Sequence, residues 1–413
     1  MPLSSDAPAE RLPAAEAADR LARLRRLWAR MFPEVEGLLA FSRANLYYLA
    51  GSPAGGALWI PREGDPVLAV RRARRRSRRE SPLEKIVHFR SFSELPAVVR
   101  EAGGAWPEPG GRLGVEMGGL SWALAELFRD RLGAWRFVNM DAALARARAL
   151  KTPWELAKLR EAGRLHDRAL GELLPGRIRA GMTERDIAWT LWGIFGELGH
   201  TGPLRTQGLG DEIFLGHVSA GDSANWPGHF NGPMGLAGEH AAAPVAGSRH
   251  VVWRPDQLLG VDVAFCLDGY ATDKTRIYFS GRAGDIPAEA LRAHDAALEI
   301  LRSAAASLRP GVRPSDLYRD AAGLARRLGV EEGFQGAGED KVLFLGHGIG
   351  LAVDEWPALA ERFDDPLEAG MVLALEPKIG LPGLGMVGAE ETYRVAETGG
   401  EVLTGGPGPI LSL

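Results

Sequence analysis

LLGVDVAFCLDGYATDKTRIYF, residues 258–279, decides how this chain is read. Two apolar, β-rich runs flank the turn residues Gly269 and Tyr270, and each run carries one aspartate, Asp262 and Asp273. The eleven-residue spacing between them is what a hairpin needs to return beside its start, so both carboxylates are expected at one cleft. Asp256 and Asp268 read as turn residues before and within that hairpin. Three later segments add polar residues at the ends of apolar runs: His347 in FLGHGIG (344–350), Glu376 in MVLALEPK (371–378) and Glu390 in VGAEETYRV (387–395). Gly346, Gly348 and Gly350 around His347 and Pro377 after Glu376 restrict the backbone there. Four carboxylates and one imidazole form a hard, oxygen-rich donor set, which cannot stay ionised at close quarters without cations. Such a set suits Mn, Co, Fe or Zn without selecting among them. Two such ions held a few ångströms apart would activate water for hydrolysis.

The order Asp, Asp, His, Glu, Glu within GY..D.TR, GHGIG, LEP and EET resembles the pita-bread metallopeptidases: methionine aminopeptidase, aminopeptidase P and prolidase. The resemblance covers nearly the whole chain, because the amino-terminal part looks like the extra domain of the creatinase, prolidase and aminopeptidase P branch. It implies two divalent ions, with Asp262 a bidentate ligand of one, Asp273 and Glu390 bridging both, and His347 and Glu376 completing the set. It gives Glu376 the further role of general base and acid. It also implies a homodimer, a short peptide substrate, and hydrolysis at the amino-terminal peptide bond, with proline in second position.

Other segments qualify that expectation. His229 in NWPGHFNGP lies where the family usually carries a Pro-His pair lining the substrate pocket, although a glycine here separates Pro227 from the histidine. It is a candidate catalytic and substrate-binding residue, ahead of His217 and His240. The family's His-Glu-x-Pro after GHGIG is Asp354-Glu355-Trp356-Pro357 here, which makes Asp354 a candidate acceptor for a substrate amine. Gly388 stands where many aminopeptidase P and prolidase members place an arginine, two residues before the last glutamate. Neither change removes a metal ligand, but both remove groups that position substrate. Two alternatives are a creatinase-like hydrolase cleaving a C–N bond without metal, and a pita-bread binding protein without catalysis. Both kinds of chain normally show eroded ligands, whereas all five stand here.

A chain of 413 residues, 46% apolar and 25% charged, is long enough for two to three globular domains. A net charge of −4 gives no reason to expect nucleic acid or an anionic membrane as partner. No apolar run approaches the ~20 residues that span a bilayer. Cys266 is the only cysteine, and the start lacks the basic-then-apolar build of a signal peptide, so a cytoplasmic protein is expected.

The fold expected is mixed α/β (α+β), with a small creatinase-like amino-terminal domain over 1–147 and a pita-bread catalytic domain over 148–413. Residues 15–32 place Leu21, Leu24, Trp28 and Met31 on one helical face. GLLAFS, NLYYLAG, ALWIP and PVLAV read as short strands, and SWALAELFRDRLG as a helix. VRRARRRSRRE (70–80) reads as a solvated loop or a dimer-facing edge; it lacks the interleaved aromatics of a nucleic-acid patch. KTPWELAKLREAG opens the second domain, with Thr152 as N-cap, Pro153 at the first helical position and Glu155 completing a capping box. IRAGMTERDIAW from Ile178 and LRPGVRPSDLYR from Leu308 echo one another as a tight turn feeding a helix. The resemblance implies internal pseudo-symmetry of that kind.

Overall fold

The computed structural model describes residues 10–208, 213–229, 231–243 and 246–413. It divides into two compact units between Arg148 and Ala149. In the first, β1 (Gly37–Ala40), β2 (Gly56–Pro61), β3 (Val67–Val70), β4 (Ile86–His88), β5 (Arg112–Val115) and β6 (Arg136–Asn139) form one sheet. Its order is β4-β3-β2-β1-β5-β6. Helices α1 (Ala14–Met31), α2 (Arg43–Ala50), α3 (Arg74–Glu80), α4 (Leu95–Glu101), α5 (Trp122–Arg131) and α6 (Asp141–Ala149) accompany it.

Three expectations change in this unit. NLYYLAG belongs to helix α2, not a strand: Ser42 caps its start by accepting the Asn45 N–H at 3.2 Å, and Gly51 at φ 67° ends it. The two caps override the β preference of Tyr47 and Tyr48. The arginine-rich run is not a loop but mostly helix α3, with its arginines toward solvent and an Arg76–Glu80 pair one turn apart. On α1 the buried face includes Ala17, Arg20, Leu24 and Trp28, while Leu21 and Met31 are half-buried. Arg20 can be enclosed because its guanidinium donates to Glu16 and to the Tyr48 carbonyl and lies over the Tyr48 ring.

The second unit holds helices α7 (Pro153–Arg168), α8 (Glu184–Glu197), α9 (Ala288–Ala306) and α10 (Pro314–Arg327). Its strands are β7 (Gly216–Ala220), β8 (Leu258–Leu267), β9 (Tyr270–Phe279), β10 (Phe344–Gly348), β11 (Glu355–Ala360) and β12 (Val372–Leu375). They continue with β13 (Lys378–Leu381), β14 (Gly385–Gly388), β15 (Glu391–Ala396), β16 (Gly399–Val402) and β17 (Leu411–Ser412). One sheet runs β17-β9-β8-β7, a second β11-β10-β12-β15-β16, and β13 pairs with β14. Helices α7 and α8 share a core with β8 around Phe195, Val261 and Phe265. Helices α9 and α10 share another with β10, β12 and β15 around Leu301, Leu345 and Leu373. The two echoed segments occupy matching places: Gly181 (φ 94°) precedes α8 and Gly311 (φ 88°) precedes α10. No described helix is long and apolar enough to cross a membrane.

The capping box that opens α7 is formed: Thr152 Oγ1 accepts the Glu155 N–H at 3.2 Å, and Glu155 Oε2 accepts the Thr152 N–H at 3.0 Å. The other oxygen of Glu155 accepts the Tyr270 hydroxyl at 3.1 Å, which ties the helix start to β9. Thr152→Ala should therefore lower the unfolding free energy by roughly 1 kcal/mol, measured by denaturant titration. A change below about 0.3 kcal/mol would contradict this account of the cap.

Candidate metal centre

The β8–β9 hairpin turns at Asp268 (φ 50°) and Gly269 (φ 88°), one residue earlier than expected, with both central residues in the left-handed region that a two-residue turn of this hand needs. Alternation along β8 sends Leu259, Val261, Val263 and Phe265 into the core with α7 and α8. Asp262 and Ala264 are thereby turned to the opposite face. The register sets Asp262 opposite Thr275 and Ala264 opposite Asp273. Both aspartates thus share one face, a diagonal step apart.

The second sheet brings the rest. His347 on β10 lies opposite Ala374 of β12, and Glu376 follows that strand immediately. A Cβ at Gly346 would fall 2.0 Å from the Ala374 carbonyl, and one at Gly348 2.5 Å from the Trp356 carbonyl. Glycine on both sides of the histidine therefore lets β10 lie between β11 and β12. Glu390 reaches the first sheet through a bridge to Thr275, whose N–H donates to its carbonyl at 3.2 Å. Asp262, Asp273, His347, Glu376 and Glu390 all line one cavity of about 220 Å³.

Within it, His347 Nε2 is 3.3 Å from Glu376 Oε1 and 4.0 Å from Glu390 Oε1. His347 Nδ1 is 3.1 Å from the Gly348 carbonyl, an acceptor, so Nδ1 carries a proton, while Nε2 faces the carboxylates. Two groups that the sequence reading missed complete the cluster. Thr275 Oγ1 donates to Asp262 Oδ1 at 2.6 Å. Lys378 Nζ, fully enclosed, donates to Asp262 Oδ2 at 2.8 Å, Glu390 Oε2 at 2.9 Å and Glu376 Oε2 at 3.0 Å. A signal was present for Thr275, which lies two residues beyond Asp273 on β9 and hence on the same face of that strand; Glu376 and Lys378 fall outside a common strand, so spacing did not announce the lysine.

The electrostatics follow from this crowding. Burial opposes ionisation of Asp262, but Lys378 and the hydrogen bonds around it outweigh that and hold it at about 2. Burial, then repulsion from Asp262, pushes Asp273 up to about 7, and burial with repulsion from Asp273 and Glu376 pushes Glu390 well above the carboxylate range. Burial disfavours charge on His347, yet Glu376 and Asp273 raise it to about 9. Burial likewise disfavours the Lys378 ammonium, and Asp262, Glu390 and Glu376 outweigh it, keeping that lysine charged.

Donor atoms of Asp273, His347 and Glu390 lie within 4.8 Å of one another. Glu390 Oε1 is buried and accepts no hydrogen bond. An unpartnered buried carboxylate oxygen beside an imidazole nitrogen and a second carboxylate fits a divalent cation, which would neutralise the charge and supply the missing partner.

The other candidates are placed as follows. His229 is exposed and is not among the residues lining the cavity, so the structure does not bring it to the cluster. His217 is buried opposite Asp262 on β7, with Nδ1 2.7 Å from the Met234 carbonyl. Asp354 does line the cavity, but its Oδ1 already accepts the Gln207 N–H at 2.7 Å. Glu355 holds the turn after His347: Oε1 accepts the Leu351 and Ala352 N–H groups, and Oε2 the Lys151 ammonium at 3.0 Å.

Residues 157–397 match the family described as metallopeptidase family M24, and residues 20–150 match the creatinase/prolidase N-terminal domain. The chain belongs to metallopeptidase family M24. Like that family it is a metal-dependent hydrolase with a creatinase-like amino-terminal domain and a pita-bread catalytic domain. Among M24 relatives, the Xaa-Pro dipeptidase of Pyrococcus furiosus is 26% identical over 361 residues, covering 87% of this chain and 90% of its own. The Xaa-Pro dipeptidase of Lactobacillus helveticus is 28% identical over 291 residues, covering 70% of this chain and 69% of its own. The solved Xaa-Pro dipeptidase from Bacillus anthracis superposes with a TM-score of 0.76 at 23% identity, covering 96% of this chain and all of its own. The X-Pro aminopeptidase from Thermotoga maritima gives 0.75 at 23%, covering 95% of this chain and 99% of its own.

Proposed function

We propose that this chain is a divalent-metal-dependent exopeptidase that hydrolyses the amino-terminal peptide bond of short peptides carrying proline in second position. The observation that carries the reading is the set of Asp273, His347 and Glu390 donor atoms within 4.8 Å of one another in a cavity that also holds Glu376. Support for the substrate class comes from the relatives named Xaa-Pro dipeptidase. The cavity wall includes Ile213, Leu215, Met234, Phe344 and Val353, an apolar lining compatible with a proline ring.

A divalent ion bound there supplies Lewis acidity toward water and toward the scissile carbonyl. The donors are assigned to Asp273, His347, Glu376 and Glu390, with Asp262 beside them. Five residues suffice in number for the two ions that the resemblance implies, and whether both places are open to metal depends on Lys378. Glu376 is assigned the proton transfer: Lys378 holds its Oε2 at 3.0 Å, which leaves Oε1 on the His347 side of the cavity. It takes a proton from the attacking water and returns it to the leaving amine nitrogen. The Nδ1–H bond of His347 to the Gly348 carbonyl keeps Nε2 available as a donor. Asp354, which lines the cavity, is assigned the contact with the substrate amine.

The test is a matched series of Xaa-Pro, Xaa-Pro-Xaa and Xaa-Ala peptides assayed with Mn, Co, Fe or Zn. The expected result is release of the amino-terminal residue from the proline peptides, lost on chelation and restored by metal. Full turnover by metal-free protein, or preference for Xaa-Ala, would sink the reading. The same reading expects manganese among the active ions and a homodimer in dilute solution, measured by sedimentation.

A further inference from the structure

Lys378 is a feature of the centre that the resemblance does not account for. Its side chain is fully enclosed, and its three N–H donors meet three different carboxylates, Asp262, Glu390 and Glu376, at 2.8 to 3.0 Å. An ammonium offers three donors and one positive charge, so this lysine is saturated by the cluster. Thr275 occupies what remains on that side: its hydroxyl donates to Asp262 Oδ1 at 2.6 Å and lies 3.1 Å from Glu390 Oε2. Both oxygens of Asp262 and the inner oxygen of Glu390 are therefore engaged. The opposite side differs. Glu390 Oε1, 4.0 Å from His347 Nε2, has no hydrogen-bond partner, and Asp273, His347 and Glu390 each offer a donor atom within 4.8 Å of the others.

The backbone is shaped for this lysine. On β13 residue 378 pairs with Gly388 of β14. A Cβ at position 388 would come 2.8 Å from Lys378 Cα and 2.4 Å from the Pro377 carbonyl, at a φ of 138°. The position where many members carry arginine is thus empty of side chain, and a cation enters the cluster from directly across the strand pair instead.

We propose that the Lys378 ammonium takes the second cation place of this centre, so that the chain binds a single divalent ion through Asp273, His347, Glu376 and Glu390. Asp262 is then the counter-ion of Lys378 and not a metal ligand. The inference rests on the reading of the cluster as a metal centre and revises only its ion count. A second dication would have to share Asp262 and Glu390 with a buried ammonium, which like-charge repulsion in a desolvated site disfavours.

The experiment is titration of chelator-stripped full-length protein with Mn²⁺ alone, followed by calorimetry and by electron paramagnetic resonance. Wild type should bind one equivalent tightly and give the spectrum of an isolated ion. Lys378→Gly should bind two equivalents and give the spectrum of a spin-coupled pair. Asp262→Asn keeps the test decisive should the lysine variant misfold: it should retain one equivalent, with affinity within tenfold of wild type. Two equivalents bound within tenfold of one another by wild type, or loss of its first equivalent in Asp262→Asn, overturns the proposal and leaves the peptidase reading standing. Wild type that binds no Mn²⁺ at all overturns both.

Discussion

Glu376→Gln will lower kcat on a cleaved peptide by roughly 10²–10⁴-fold, the usual worth of a positioned acid–base group. The glutamine keeps the volume and one carbonyl oxygen 3.3 Å from His347 Nε2, so the fold and most of the donor geometry persist. It cannot accept a proton from water or return one to an amine. The loss should appear in kcat and in kcat/KM alike, because the interaction exists only on the way to the transition state. Metal content is measured in parallel to separate loss of the proton carrier from loss of the ion. A variant that retains its metal and turns over within tenfold of wild type would remove Glu376 from the proton-transfer role.

Glu391→Ala should be the most damaging single change to stability. On the face of β9 away from the cavity, Glu391 accepts Lys274 Nζ at 2.6 and 2.7 Å, Arg276 Nη1 at 3.0 Å and Thr404 Oγ1 at 2.5 Å. Glu391 and Lys274 are wholly buried and Arg276 nearly so. Without it, the two enclosed cations keep the Thr404 and Gly406 carbonyls and, as a described carboxylate, Asp167 at 3.2 and 3.4 Å. Removing one partner of such a group costs about 3–5 kcal/mol, since the remaining charge stays desolvated. In a unit of this size that lowers Tm by roughly 10 °C. A Lys274→Met, Glu391→Met pair should recover part of the loss, because it removes buried charge from both sides. Thermal unfolding decides: a single variant within about 1 kcal/mol of wild type would show that the cluster is not a stability element. The consequence reaches the metal centre, because Lys274 adjoins Asp273 and the Thr392 hydroxyl joins the two strands there, donating to the Asp273 carbonyl at 3.0 Å.

The sequence reading was strongest where a local rule dominates. The capping box at Thr152 and Glu155 is closed over three residues, and the hairpin over 258–279 is set by two β-rich runs, its turn lying at Asp268-Gly269, one residue before the Gly269-Tyr270 position read from the sequence. It failed at NLYYLAG, where the side chains favour a strand but Ser42 and Gly51 cap a helix. It failed differently along α1, where Leu21 and Met31 are only half-buried and Arg20 is enclosed, because nothing local announces that a guanidinium will find Glu16 and the Tyr48 carbonyl inside a core.

For the centre itself, the sequence determined which residues are available. Asp262, Asp273, His347, Glu376 and Glu390 each end or interrupt an apolar run, and that placement is a property of the chain. Tertiary structure decided which oxygen of each faces which neighbour. The register of β8 against β9 and the bridge from Thr275 to Glu390 sort the carboxylate oxygens into a satisfied side and an open one. Lys378 is in the printed sequence like any lysine; only the pairing of β13 with a side-chain-free Gly388 turns it inward. The 2.8 Å contact of Lys378 with Asp262 is a matter of packing, and packing between segments more than a hundred residues apart is written in no local pattern.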